Sequence, residues 1–317
     1  MARIDAAPDN SADDFPLPAI GKAMNAGFGE LCSILSALAW AIGLMFYRQL
    51  GTSLPPLQLN FLKNLLVLGM LVPAIPLLHG FALPQFTGQQ VLAAVASGLL
   101  GIGVADTLYF RALNELGAGR MGVLGNFYSP FVIVLSFLFL DERLLPVQLL
   151  GFALVSLGVW VAAWPRSGGA VGRHALMGFG CALLAIVLMA VSIILVKRVL
   201  EAQPLLWVTG LRMLGALGGM ALIAFLRGET AQLAPPTHGM PWRKLALAAF
   251  IGQFLAMVLW LAGYKFTQAS VAAILNETAS VFILLLAAVW LKEPLTRRSL
   301  AGVGLTMAGV SCMLWVR

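Results

Sequence analysis

After residue 26 the chain is a succession of apolar runs, each near twenty residues long and parted by short stretches that carry Pro, Gly or charge. A helix crossing the roughly 30 Å hydrocarbon core of a bilayer needs about 20 mostly apolar residues. Runs of that kind fall at 27–47, 57–78, 90–110, 119–140 and 146–164, then at 175–196, 205–226, 244–264, 269–291 and 298–315. They are too long for strands and lack the alternation of an outer-membrane barrel. The pattern predicts an all-α integral membrane protein of ten transmembrane helices. The first 26 residues break it: Asp5, Asp9, Asp13 and Asp14 mix with Pro8, Pro16 and Pro18, a composition that buries too little apolar surface to fold alone. Residues 1–26 are expected to form a flexible tail. With no basic stretch leading to a small-residue cleavage site, the first apolar run reads as a retained span.

The chain also matches itself. A shift of 151 residues places Leu108 on Leu259, Ser129 on Ser280, Phe131 on Phe282, Glu142 on Glu293, Gly151 on Gly302 and Gly158 on Gly309. A shift of 149 in the earlier helices places Arg48 on Lys197, Pro55 on Pro204 and Lys63 on Arg212. Matches of Glu and Gly exceed what apolar composition alone produces. The expected organisation is a five-helix repeat over 27–164 and a second over 175–317. Because five is odd, the second repeat enters the membrane in the opposite sense, which makes the pair an inverted repeat of the kind found in alternating-access carriers.

Composition narrows the class. Hydrophobic residues make up 60% of 317 positions and charged residues 10%, against about 25% charged in soluble domains. The formal charge of +7 comes from Lys and Arg placed singly or in pairs between the runs. It forms no basic face, so nucleic acid is not an expected partner. Cys32, Cys181 and Cys312 lie within apolar runs without CxxC spacing, as core thiols do.

At the turns after the fourth and ninth runs stand Leu140-Asp141-Glu142-Arg143-Leu144 and Leu291-Lys292-Glu293-Pro294-Leu295. With the two repeats, a basic residue early in the second helix of each (Lys63, Arg212) and a Gly-spaced fifth helix, the chain resembles the EamA family of the drug/metabolite transporter superfamily. The resemblance implies a secondary transporter, monomer or homodimer, in the inner or plasma membrane. Its central cavity would move a small metabolite (an amino acid or related zwitterion, another organic solute, or a drug), with export the favoured direction. The halves have diverged: Pro130 answers to Val281, and Trp40 to Met189.

An ionisable group near the bilayer centre costs about 2.5–3.5 kcal/mol on insertion scales, so those present are candidates for function. Lys63, Asp106, Arg212 and Glu277 qualify. Ser270, Ala273, Glu277 and Ser280 share one helical face with Asn276 adjacent, where a carboxyl group can hold a substrate ammonium or take up a proton. Arg212 is expected at similar depth and is a candidate ion-pair partner for Glu277. The matching residues Lys63 and Asn126 would leave an unbalanced cation, suited to a carboxylate or phosphate. Asp106, near the end of the third run, reads more readily as a solvated or capped helix-end carboxylate. Trp40, near mid-span, is a candidate for stacking on substrate. Glu142 and Glu293 are expected to hold their turns, and Gly215, Gly218 and Gly219 make the seventh helix smooth enough to slide or bend.

No GxxxxGK[ST] run is present, so the expected drive is a gradient, by proton coupling or exchange. Neither a cofactor nor a metal is expected. An intramembrane enzyme, or a structural or sensory membrane protein, is the alternative; His79, His174 and His238 fall between the runs, with no HExxH or GxSxG. The count of Lys and Arg between runs places both termini outside the cell, whereas relatives resembling this chain keep both in the cytoplasm.

Overall fold

The computed structural model describes residues 27–79, 83–116, 121, 124–125, 127–163, 173–235, 239–290 and 297–315. The expected tail, Asn126 and the turn around Glu293 lie outside the described residues. Among those described, the regular elements are helices: α1 Phe28–Leu50, α2 Pro56–His79, α3 Gly88–Leu116, α4 Tyr128–Leu140, α5 Pro146–Ala163, α6 Arg173–Ala202, α7 Leu205–Leu226 and α8 Trp242–Phe266. After them come α9, in two segments (Ala269–Asn276 and Thr278–Trp290), and α10, Arg297–Trp315. Among the described residues seven helices are long and apolar enough to cross a membrane: α1–α3 and α6–α9. Shorter apolar stretches lie at Tyr128–Leu140, Pro146–Gly158 and Leu300–Cys312.

The polarity of this bundle is inverted relative to a water-soluble protein. Leu77 and Val289 are each 81% exposed, while Asn60, Lys63, Asn64 and Arg212 are at most 1% exposed. Apolar side chains outside and polar ones within suit a lipid solvent. The chain is a multi-pass membrane protein.

Two local devices shape the helices around the core. First, α3 and α8 each contain a π turn, at Leu99–Val104 and Phe250–Leu255. Such turns disturb the hydrogen-bond ladder, and in α3 side chains supply the missing partners. Asn60 Nδ2 on α2 donates to the carbonyls of Ile102 (2.8 Å) and Gly103 (3.3 Å), and Thr107 Oγ1 donates to Gly103 (2.7 Å). Second, α9 is not the continuous helix expected over 269–291. It breaks at Glu277, whose N–H reaches back only three residues, to Ile274 (3.1 Å). The cause lies in the run Asn276-Glu277-Thr278, polar side chains that compete with the backbone ladder. Asn276 Nδ2 donates to the Ala272 carbonyl (2.8 Å) and Thr278 Oγ1 to that of Leu275 (2.7 Å).

Helices from the two ends of the chain interleave. α1 packs along α8 and α9, α6 along α3 and α4, and α7 against α3. At Gly43 and Gly252 the backbones of α1 and α8 touch, so a side chain at either position would collide with the other helix. The smooth face of α7 is filled by close packing: Gly215 sits on the Val95 backbone and Gly219 on the Leu99 side chain. α5 crosses α10, where a Cβ at Gly158 would stand 2.6 Å from the Gly302 carbonyl oxygen and one at Gly309 2.7 Å from that of Gly151.

Candidate functional site

Between α1, α3, α4, α6, α7, α8 and α9 lies a cavity of about 230 Å³. Most of its wall is apolar, and the polar exceptions are few. Asp106 and Tyr109 come from α3, Arg212 from α7, Gln253 from the π turn of α8, and Asn276, Glu277 and Ser280 from the break in α9. Trp40 and Trp260 supply aromatic walls. Of the candidates from sequence, Trp40, Asp106, Arg212, Asn276, Glu277 and Ser280 therefore converge on one void. Lys63 stands behind that wall, and Asn126 is outside the described residues.

The charge pairing differs from expectation. Arg212 and Glu277 do not form an ion pair: no carboxylate oxygen lies within 4.0 Å of Arg212 among the described residues. Lys63, expected to be unbalanced, instead meets Asp106 (Nζ to Oδ2, 2.8 Å) and donates to Gln253 Oε1 (2.7 Å). Asp106 is only 7% exposed and is an internal counterion, not a solvated helix-end group. The reason is geometric. Lys63 faces α3 across a polar seam with Asn60 and Asn64, which bond each other (Asn64 Nδ2 to Asn60 Oδ1, 2.9 Å). The Tyr47 and Phe110 rings, 5.9 and 5.4 Å from the ammonium, close the remaining sides.

Arg212 is held differently. Nη1 donates to Ser97 Oγ (2.5 Å) and Nη2 reaches Ser192 Oγ (3.4 Å), while the guanidinium lies 5.7 Å from the Trp260 ring centre. Glu277 is also weakly held. Ser156 Oγ is 3.5 Å from Oε2, and the buried Oε1 has no hydrogen-bond partner among the described residues. The cavity thus presents one cation and one carboxyl group that do not neutralise each other.

Side-chain hydrogen bonds also tie α4 to α8 and α9. Tyr128 and Tyr264 join their hydroxyls (2.8 Å), as do Ser136 and Ser270 (2.7 Å). Glu142, expected to hold its own turn, reaches across to cap α9. Oε1 accepts from Ala269 N–H (2.9 Å), and Oε2 accepts from Ser270 N–H (3.1 Å) and Ser270 Oγ (2.9 Å). Two free N–H groups at a helix start are satisfied in this way.

Sequence reasoning passed over Gln253, Ser97, Ser192 and Ser156. Gln253 had a signal, an amide in an apolar run where the matched residue is Ile102. So did Asn60 and Asn64, three before and one after Lys63 on the same helix. The serines carried none, since small polar residues are ordinary at helix contacts.

A family model described as the EamA-like transporter family matches the chain twice, over residues 27–164 and 176–315. The chain belongs to the EamA-like transporter family. Relatives in the collection of curated proteins are called uncharacterized transporters. One, from Archaeoglobus fulgidus, is 26% identical over 218 residues, covering 68% of this chain and 74% of its own. Another, YoaV of Bacillus subtilis, is 24% identical over 134 residues, covering 42% of this chain and 46% of its own. A solved crystal structure shares the fold, with a TM-score of 0.73 at 18% identity over 90% of this chain and 95% of that one.

Proposed function

We propose that this protein is a secondary carrier that moves a small polar metabolite out of the cell by alternating access, across the inner or plasma membrane. Ten helices in two inverted five-helix units, 27–164 and 175–317, form the frame of this reading. Three observations support the frame: the sequence repeat, the two matches to the family model, and π turns whose starts, Leu99 and Phe250, differ by the same 151 residues (250 − 99). Irregular backbone within a membrane is tolerated where it lines a cavity, and carriers place their sites at such broken helices.

The observation that carries the proposal is the cavity at the break in α9, where Glu277 and Arg212 remain unneutralised. An unpaired charge inside lipid is expensive, and a substrate or a proton that offsets it couples binding to the state of the protein. Glu277 serves as the coupling group, taking up a proton or a substrate cation; Asn276 and Ser280 add hydrogen bonds and Trp40 an aromatic wall. Proton coupling and exchange both fit this assignment. The hydrogen bonds from Glu142, Ser136 and Tyr128 close one end, so the cavity serves the opposite side in this state. Termini in the cytoplasm then make the state outward-facing.

The test compares metabolites released by cells carrying the protein, the Glu277→Gln variant or an empty vector, at equal membrane abundance. One metabolite class should appear outside only with the native protein. Identical profiles for the native protein and the empty vector would sink the export reading, and identical profiles for the native protein and Glu277→Gln would remove Glu277 from it.

A further inference from the structure

The cation in the cavity is fixed in place without being neutralised. Ser97 on α3 and Ser192 on α6 form a reciprocal bridge, in which Ser97 Oγ donates to the Ser192 carbonyl (2.7 Å) and Ser192 Oγ to the Ser97 carbonyl (2.8 Å). Each hydroxyl has one proton, and the bridge uses both. What remains toward Arg212 is lone pairs, and these accept from Nη1 and Nη2. The serines therefore orient the guanidinium while leaving its charge whole.

The backbone enforces the arrangement. A side chain at Gly98 would collide with the Arg212 backbone, and one at Gly101 with Ser192. Arg212 is 1% exposed and lines the cavity, and its buried Nε has no hydrogen-bond partner among the described residues. Among the described residues its Nε–Nη2 edge makes only the 3.4 Å hydrogen bond to Ser192. Among the described residues this fork has no closer partner; it matches the two oxygens of a carboxylate, and such a charge-assisted pair is strong. The Lys63 ammonium cannot compete for the same group, since Asp106 and Gln253 occupy it.

We propose that Arg212, oriented by the Ser97–Ser192 bridge, is the receptor for a carboxylate group on the transported molecule. This rests on the carrier reading above and assigns the anionic end of the substrate. The test uses the purified full chain in nanodiscs and three probes of one skeleton: leucine, leucinamide and 4-methylpentanoate, which are zwitterion, cation and anion, with formate and acetate as minimal carboxylates. Binding is read as a rise in melting temperature at probe concentrations up to tens of millimolar. Leucine and 4-methylpentanoate should raise it, and leucinamide should bind at least about tenfold more weakly, because it lacks the charge-assisted fork. The Ser97→Ala, Ser192→Ala double variant retains Arg212 and should bind both carboxylates about tenfold more weakly.

Leucinamide binding as well as 4-methylpentanoate overturns the assignment, and so does the absence of any shift with all five probes. Unchanged carboxylate affinity in the double-serine variant removes the bridge from it. These binding outcomes are separate from metabolite release by cells, so the carboxylate assignment can fail while export stands, and export can fail while the receptor stands.

Discussion

At the scale of single residues, Lys63 and Asp106 form a bond that the interior cannot easily lose. Removing one partner of a buried pair leaves a charge with no solvent, at a cost of about 3–5 kcal/mol. Lys63→Met should therefore lower the melting temperature sharply, whereas Lys63→Met with Asp106→Leu should recover most of the loss. A double variant as unstable as the two single changes summed would show that the pair is not a coupled unit. The sequence exposed the four charges in and behind the cavity wall, Lys63, Asp106, Arg212 and Glu277, but not who meets whom. Lys63 and Asp106 are 43 positions apart, and their meeting depends on where the π turn of α3 aims Asp106. Helical spacing alone placed Asp106 near a helix end and left it to solvent.

Among the elements, α9 shows how a helix can be broken and held. Glu142 caps its first segment, and a carboxylate at a helix start adds favourable interaction with the helix dipole. Glu142→Gln should cost about 1 kcal/mol and speed hydrogen exchange at the Ala269 and Ser270 amides, with the remaining helices unaffected. Unchanged exchange would mean the cap is incidental. The α5–α10 crossing is a second element-scale device. Gly309→Leu should destabilise by about 1–3 kcal/mol through overpacking, seen as a lower melting temperature at unaltered helix content. The glycines of this crossing were legible, because spacing on matched helices marks close approach. The break in α9 was not, because apolar length counts residues and ignores hydrogen bonds that Asn276 and Thr278 divert.

For the molecule as a whole, the alternating access proposed above requires an opposite state in which the Ser136–Ser270 contact parts. With Cys32, Cys181 and Cys312 replaced by Ser, the Ser136→Cys, Ser270→Cys pair should cross-link under oxidation, halt transport, and regain it on reduction. A cross-linked protein that transports at the full rate would rule out opening at this contact. Periodicity located the runs from α1 to α10 to within a few residues at most ends, because lipid imposes length on a span; α3 and α6 end six residues later than the pattern, and α4 begins nine later, at Tyr128. Periodicity was silent on the π turns, since they leave the apolar pattern intact. Yet each such turn carries one residue more than the α turn it replaces, and a single residue amounts to about 100° of azimuth around the axis. Deleting Ile102 would rephase the rest of α3 by that angle, swinging Asp106 and Tyr109 off the cavity wall while lipid-facing side chains turn inward. The orientation of that half of the wall thus hangs on one surplus amino acid.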